Sequence, residues 1–273
     1  MKSWVGRLFP AGTKQADFLP RYSRIFNTVE GNTTFYALPK VDSVARWNEE
    51  TPADFLFCFK FPKKITHEKL LKDSEEYAST FVKRLEPLAD KLGTLVVQLP
   101  PRFGPKQLPR LGSFLRGLPS GFRYAVELRH DAFFAGGDEE RAVVDLLGEL
   151  GVDMVIMDAR GLHASDAPAL AEVRSRKPNL PIVMRATGPQ PIVRFVPHED
   201  FEAGRRFLTP WLDQMAKWIG EKRKPYFFMH APDDTFAPEN AYRFHRLLGE
   251  RVDVGELPTF VVAEESEDQL DLF

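Results

Sequence analysis

The chain has 273 residues, 43% hydrophobic and 28% charged, enough for one large α/β domain or two small ones. Its 37 basic and 39 acidic residues leave a formal net charge of −2, which excludes a global field for steering onto nucleic acid or anionic membrane; any such contact needs a local patch. A single cysteine, Cys58, excludes an internal disulfide and fits a reducing compartment. The chain contains no run of about 20 apolar residues. Its first residues, MKSWVGRLFPAG, have no signal-peptide h-region, so the expected location is the cytoplasm.

The opening residues lack a strand signal, and Lys14–Arg24 reads as helix-like. Seven apolar segments with strand character follow: Ile25–Glu30, Phe55–Phe61, Gly93–Pro100, Tyr124–Arg129, Val152–Asp158, Pro191–Val196 and Tyr226–His230. Helical periodicity fills the intervals at Val41–Glu50, His67–Leu92, Gln107–Leu118, Asp138–Leu150, Phe207–Ile219 and Pro238–Leu248. Strands alternating with helices predict βα units and a parallel sheet. With no repeat and no long linker, residues 1–255 are expected to form one TIM-like (β/α) barrel domain, and 256–273 an acidic, flexible tail. A (β/α)8 barrel needs one more strand. Either the barrel is open by one strand or the chain starts too far downstream; Leu180–Thr187, LPIVMRAT, is a spare-strand candidate.

Strand alternation selects faces. Phe55, Phe57, Phe59 and Phe61 share one side, suited to the layer between strands and helices, and Leu56, Cys58 and Lys60 share the other. Each strand then contributes one polar residue near its C-terminal end: Glu30, Lys60, Gln98, Glu127, Asp158, Arg194 and His230. At the C-terminal face of a barrel such residues are placed to meet a ligand.

The densest constellation is Glu127-Leu128-Arg129-His130-Asp131. A carboxylate beside a guanidinium keeps a low pKa and a fixed orientation. Glu127 and Arg129 therefore read equally as an acid/base clamp or as a buried ion pair closing the barrel top. Glu30 and Asn32 flank Gly31, which brings backbone close to a ligand; the pair reads as a base with a hydrogen-bond donor, or as a satisfied turn. Glu30, Glu127 and His230 are the catalytic candidates. Asn32, Lys60, Gln98, Arg129, His130, Asp158 and Arg194 are the substrate-binding candidates. Converging Lys60, Arg129 and Arg194 predict an anionic ligand, a phosphate or carboxylate.

No HxH or HExxH occurs, so no metal site is expected, and spacing offers no support for a carboxylate-held Mg²⁺ or Mn²⁺ on Glu30, Glu127 and Asp158. Neither GxGxxG nor a P-loop is present, so the sequence names no cofactor. The chain ends Gln269-Leu270-Asp271-Leu272-Phe273 after an acidic run. This QLDLF resembles the pentapeptide by which bacterial replication and repair proteins bind the sliding clamp. Its expected partner-binding residues are Gln269, Leu270, Leu272 and Phe273.

The blocks FNTVEGNTTFYALP, DFLFCFKFPKKITHE, LGTLVVQLPPRFGP, YAVELRHDAFF and PYFFMHAPDDTFAPENA together resemble the YecE-like family, a domain of unknown function (number 72). The resemblance extends to about Glu250. It implies a TIM-like barrel and no settled reaction. Its recurring motifs match Glu30, Asn32, Thr34, Phe35, Tyr36, Lys60, Gln98, Pro100, Glu127, Arg129, His130, Arg194 and His230. Members usually begin with a strand carrying a Gly and a Trp before the segment matching Lys2–Pro10. The expectation is a start-site error or truncation, with the strands bearing Glu30 and His230 flanking a gap. The functional expectation is a hydrolase on a phosphate-bearing, nucleic-acid-related substrate; the alternative is a non-catalytic binding or adaptor protein recruited through the tail.

Overall fold

The computed structural model describes residues 1–231 and 234–260. Seven parallel strands lie in sequence order: β1 (Thr28–Gly31), β2 (Leu56–Lys60), β3 (Leu92–Gln98), β4 (Arg123–Glu127), β5 (Asp153–Asp158), β6 (Ile192–Phe195) and β7 (Tyr226–Met229). The sheet curls into a nearly closed TIM-like barrel with seven strands among the described residues, one short of eight. Among the described residues β1 and β7 are its two edges. The spare-strand candidate at 180–187 does not pair. Ile182, Met184 and Ala186 instead pack on the outer core, and Thr187 Oγ1 donates to the Val152 carbonyl at 2.7 Å.

Helices α2 (Val41–Glu50), α3 (Glu75–Leu85), α4 (Leu108–Arg116), α5 (Asp138–Glu149), α8 (Phe201–Gly220) and α9 (Ala237–Gly249) cover the outside. Short helices α1 (Phe18–Tyr22), α6 (Arg160–His163) and α7 (Ala171–Arg176) sit in the connections. Local chemistry sets several starts. Asp200 caps α8 by accepting from Glu202 N (2.9 Å) and Ala203 N (3.2 Å). Pro238 stands in the first turn of α9, where its missing N–H costs nothing. Three acids open α5, at the positive end of its helix dipole.

The expected long helix over 67–92 is broken. A π-type turn spans Lys64–Glu68, then Leu70, Leu71 and Asp73 take positive φ before α3 begins. Left-handed backbone costs about 1–2 kcal/mol per non-glycine residue. Leu71 is 1% exposed, and burying a leucine returns about 1.5–3 kcal/mol, enough to hold its own position there.

The alternating faces separate two cores. Phe55, Phe57, Phe59 and Phe61 pack outward in one core, Phe57 and Phe59 stacked on Trp47 of α2 and Phe61 against Phe81 of α3 and Phe114 of α4. Cys58, Val96, Ala125, Val155, Ile192 and Tyr226 fill the barrel interior. Near the open edges the N-terminal segment closes part of the flank. Trp4 stacks on Tyr22 at 5.8 Å and donates from Nε1 to the Asp234 carbonyl at 2.8 Å. Phe260 is buried beside Phe26 and Tyr242, so the packed chain continues past the tail boundary expected at 255. The expected partner-binding residues Gln269, Leu270, Leu272 and Phe273 lie outside the described residues.

Candidate functional site

Six of the predicted strand-end residues turn inward, and four of them, with Arg129, form one ion-pair lattice at the C-terminal mouth. Arg194, at 4% exposure, bridges two carboxylates. Its Nη1 donates to Glu127 Oε2 at 2.8 Å and its Nη2 to Glu30 Oε2 at 3.1 Å. Arg194 Nε lies 2.9 Å from Glu30 Oε1 without the alignment of a hydrogen bond. Arg129 closes on Glu127 Oε1 from Nε (2.7 Å) and Nη2 (2.6 Å). Lys60 Nζ is 3.3 Å from Glu30 Oε1. Gln98 is buried on the same interior layer, in register with Glu127.

Local sequence explains the placement. Glu30 is followed by Gly31 because a Cβ there would sit 2.4 Å from the Phe59 ring. The ring of β2 therefore packs across the end of β1 and brings Lys60 to Glu30. The register of β4 and β5 sets Glu127 beside Val155, and that of β5 and β6 sets Arg194 beside Met157, one layer higher. Arg194 reaches down and across to both carboxylates.

The electrostatics follow from burial opposed by ion pairing. Burial alone would raise the pKa of Glu30, but Arg194 and Lys60 outweigh it and hold the carboxyl down to about 2. Burial likewise opposes ionisation of Glu127, and Arg129 and Arg194 win, holding it well below the usual range. Both carboxylates are thus fixed anions. Three cations, Lys60, Arg129 and Arg194, face those two anions and leave one positive charge in excess. Lys60 is pushed down by burial, partly countered by Glu30.

His230 follows β7. Its Nε2 lies 3.5 Å from Glu30 Oε2 and its Nδ1 3.7 Å from Asp234 Oδ1. Burial lowers its pKa, with Asp234 and Glu30 opposing and Arg194 assisting. Nε2 is buried and makes no hydrogen bond. Asn32 is exposed on the rim. Together with Glu30 and His230 it lines a cleft of about 1020 Å³ that runs along the open side between β1 and β7.

Two expected mouth residues are elsewhere. Asp158 shares a face with Ile156, as expected, but that face is the outer one. Its carboxylate accepts from Trp211 Nε1 of α8 at 2.7 Å and from Arg160 Nη2 at 2.7 Å. A buried indole N–H needs an acceptor, and Asp158 supplies it. His130 spends Nδ1 capping the turn at Asp131–Phe134, accepting from Ala132 N at 3.2 Å. Its Nε2 packs where a Cβ on Gly104 would lie 2.7 Å away.

Three further groups feel the same field. Lys177, in the connection after α7, is lowered by burial and Arg194 and raised by Asp234 and Glu127. His67 is lowered by burial and then Arg129. Asp234 is held down, against burial, by His230. None carries a strand-end signal. His67 and Asp234 fall within the blocks DFLFCFKFPKKITHE and PYFFMHAPDDTFAPENA but are not among the positions matching the recurring motifs. Among the described residues no group of three His, Cys, Asp or Glu stands close enough to hold a metal ion.

A sequence profile described as "Protein of unknown function DUF72" matches residues 1–261. The chain belongs to the DUF72 family. It is 43% identical over 223 residues to UPF0759 protein YecE of Escherichia coli K12 and of O157:H7, covering 81% of this chain and 82% of each relative. Solved DUF72 structures share the fold. One from Thermotoga maritima MSB8 superposes with a TM-score of 0.70 at 24% identity, covering 91% of this chain and 95% of that one. One from Enterococcus faecalis V583 gives 0.69 at 20% identity, covering 87% and 95%. Among the described residues no helix is long and apolar enough to cross a membrane.

Proposed function

We propose that this DUF72 protein is a hydrolase acting on a phosphate-bearing, nucleic-acid-related substrate at the barrel mouth. The observation that carries this reading is the arginine bridge. Arg194 ties Glu30 and Glu127 into one buried lattice whose cations exceed its anions. An oxyanion entering beside Lys60 and Arg129 neutralises the excess with charge-assisted hydrogen bonds. Glu30 and Glu127, saturated by cations, hold those cations in place and are poor proton acceptors. His230 is the proposed general base. Burial favours its neutral form, and Nε2 makes no hydrogen bond, standing 3.5 Å from Glu30 Oε2. In the step, a water oxygen bonds to phosphorus as His230 Nε2 takes its proton. The bond from phosphorus to the leaving oxygen breaks, and that oxygen takes the proton from the His230 imidazolium, which returns the histidine to its neutral form.

The test is turnover of bis(p-nitrophenyl) phosphate. His230→Ala lowers kcat by about 10²–10⁴-fold. Wild-type activity falls with acidification, with a midpoint below the ordinary histidine value of 6.5, as burial requires. Equal rates for wild type and His230→Ala overturn the base assignment. No turnover of phosphomonoesters, phosphodiesters or nucleotides overturns the reading.

A second reading rests on the terminal QLDLF. It makes the protein a cytoplasmic partner of the bacterial sliding clamp, anchored by Leu272 and Phe273 with Gln269 hydrogen-bonding. Purified clamp then binds the full chain and loses it on Leu272→Ala/Phe273→Ala. Equal binding by both ends that reading.

A further inference from the structure

We infer that the rim formed by the segments after β1, β2 and β3 is a binding track for a single-stranded polynucleotide, with Tyr36 as its stacking platform. The inference rests on the phosphate reading of the mouth and extends it to the substrate's size.

Tyr36 is 72% exposed, the most exposed large hydrophobic side chain among the described residues. Its position is nonetheless fixed. Phe35 meets it edge-on at 5.3 Å, and His67 in turn meets Phe35 edge-on at 5.0 Å. The short turn Thr33–Phe35, which Tyr36 follows directly, is anchored by Thr34, which is fully buried and donates from Oγ1 to the Lys60 carbonyl at 2.7 Å. The exposed ring is therefore tied to the residue that supplies a cation to the mouth. A soluble protein gains nothing by holding a tyrosine rigidly in water; a flat ligand gains a platform.

The surroundings are basic. Lys63 Nζ lies 6.0 Å from the Tyr36 ring centre. Arg102, from the loop after β3, donates to the His67 carbonyl, and Arg110 Nη1 donates to the Leu70 carbonyl at 3.2 Å. In the segment after β2, between residues 61 and 72, the chain carries four lysines against Glu68, and between 99 and 110 three cations and no acid. The whole chain is slightly acidic, so this excess is local. Cations flanking one fixed aromatic face is the arrangement that binds unpaired bases and the phosphates between them. The ring and cations lie on the rim of a mouth proposed to take phosphate, so a polynucleotide engages the ring, the rim cations and the mouth together, which an anionic bilayer does not.

The measurement is fluorescence anisotropy of a labelled oligothymidylate of about 16 nucleotides with the full chain at low salt. Tyr36→Ala weakens binding about 5- to 100-fold, and Tyr36→Phe retains it. Lys63→Ala/Arg102→Ala reduces the slope of log affinity against log salt by about 1.4, two single-strand phosphate contacts. Circular dichroism of each variant checks the fold. Absent binding, or equal affinity of wild type and Tyr36→Ala, overturns the proposal. Sedimentation with phosphatidylserine vesicles that the oligonucleotide does not compete away overturns it in favour of a membrane. Turnover of bis(p-nitrophenyl) phosphate by the same wild-type preparation keeps the two readings apart. Turnover without oligonucleotide binding leaves the mouth assignment standing and removes the track.

Discussion

Replacing Glu30 with glutamine tests the lattice quantitatively. The carboxyl is displaced from 4.5 to about 2, and its side chain is 6% exposed, so solvent screening discounts the shift little. Two to three units at about 1.4 kcal/mol each make the charged form worth roughly 3 kcal/mol to the folded state. Removing one partner of a buried pair is an independent route to about 3–5 kcal/mol. A chain of this size loses about 2–4 °C per kcal/mol, so Glu30→Gln melts roughly 6–12 °C below wild type at pH 7. The folded pKa is depressed, so the stabilisation is fully present above the unfolded value of 4.5 and is lost as pH falls toward 2. Urea denaturation of both proteins between pH 7 and pH 3 measures the difference. It is expected to shrink by about half near pH 3. A gap below about 1 kcal/mol at pH 7, or one that does not narrow on acidification, refutes the claim that ion pairing outweighs desolvation here.

Arg194→Met removes the bridge and leaves both carboxylates short of a cation. It costs about 3–5 kcal/mol in urea melts and abolishes inorganic phosphate binding measured by calorimetry. Trp211→Phe strips Asp158 of one buried donor and costs about 1–3 kcal/mol, with unchanged phosphate affinity, because Asp158 lies outside the mouth; a parallel loss of affinity would contradict that placement. Gly31→Ala drives a Cβ into the Phe59 ring and destabilises by about 1–3 kcal/mol, read by thermal melting.

Much of this site was legible because a parallel barrel strand alternates with a strict period of two. Phe55, Phe57, Phe59 and Phe61 landed in the outer core together, and Lys60 landed inside with Cys58. That period relates residues within a strand and says nothing about phase between strands. On β5 the interior positions are Val155 and Met157, with Met157 beside Arg194. The strand's terminal acid falls one position out of phase and meets Trp211 instead. An apolar residue at the mouth level gives no signal, so the neighbouring Asp158 was the natural choice and the wrong one. The helix over 67–92 failed for a related reason. Leu70 and Leu71 satisfy a helical spacing, yet burial of Leu71 holds a left-handed turn that periodicity cannot distinguish from a helix. Lys177, His67 and Asp234 enter the mouth's field from connecting segments, where no period applies. Glu127-x-Arg129 left open a clamp and a structural pair. The geometry joins the two readings, because the pair that holds Glu127 ionised is also what keeps Arg129 and Arg194 facing the mouth with charge to spare. A variant that breaks the pair therefore changes stability and anion affinity together, whereas His230, which approaches Glu30 to 3.5 Å without a hydrogen bond, is the residue best placed to separate chemistry from folding.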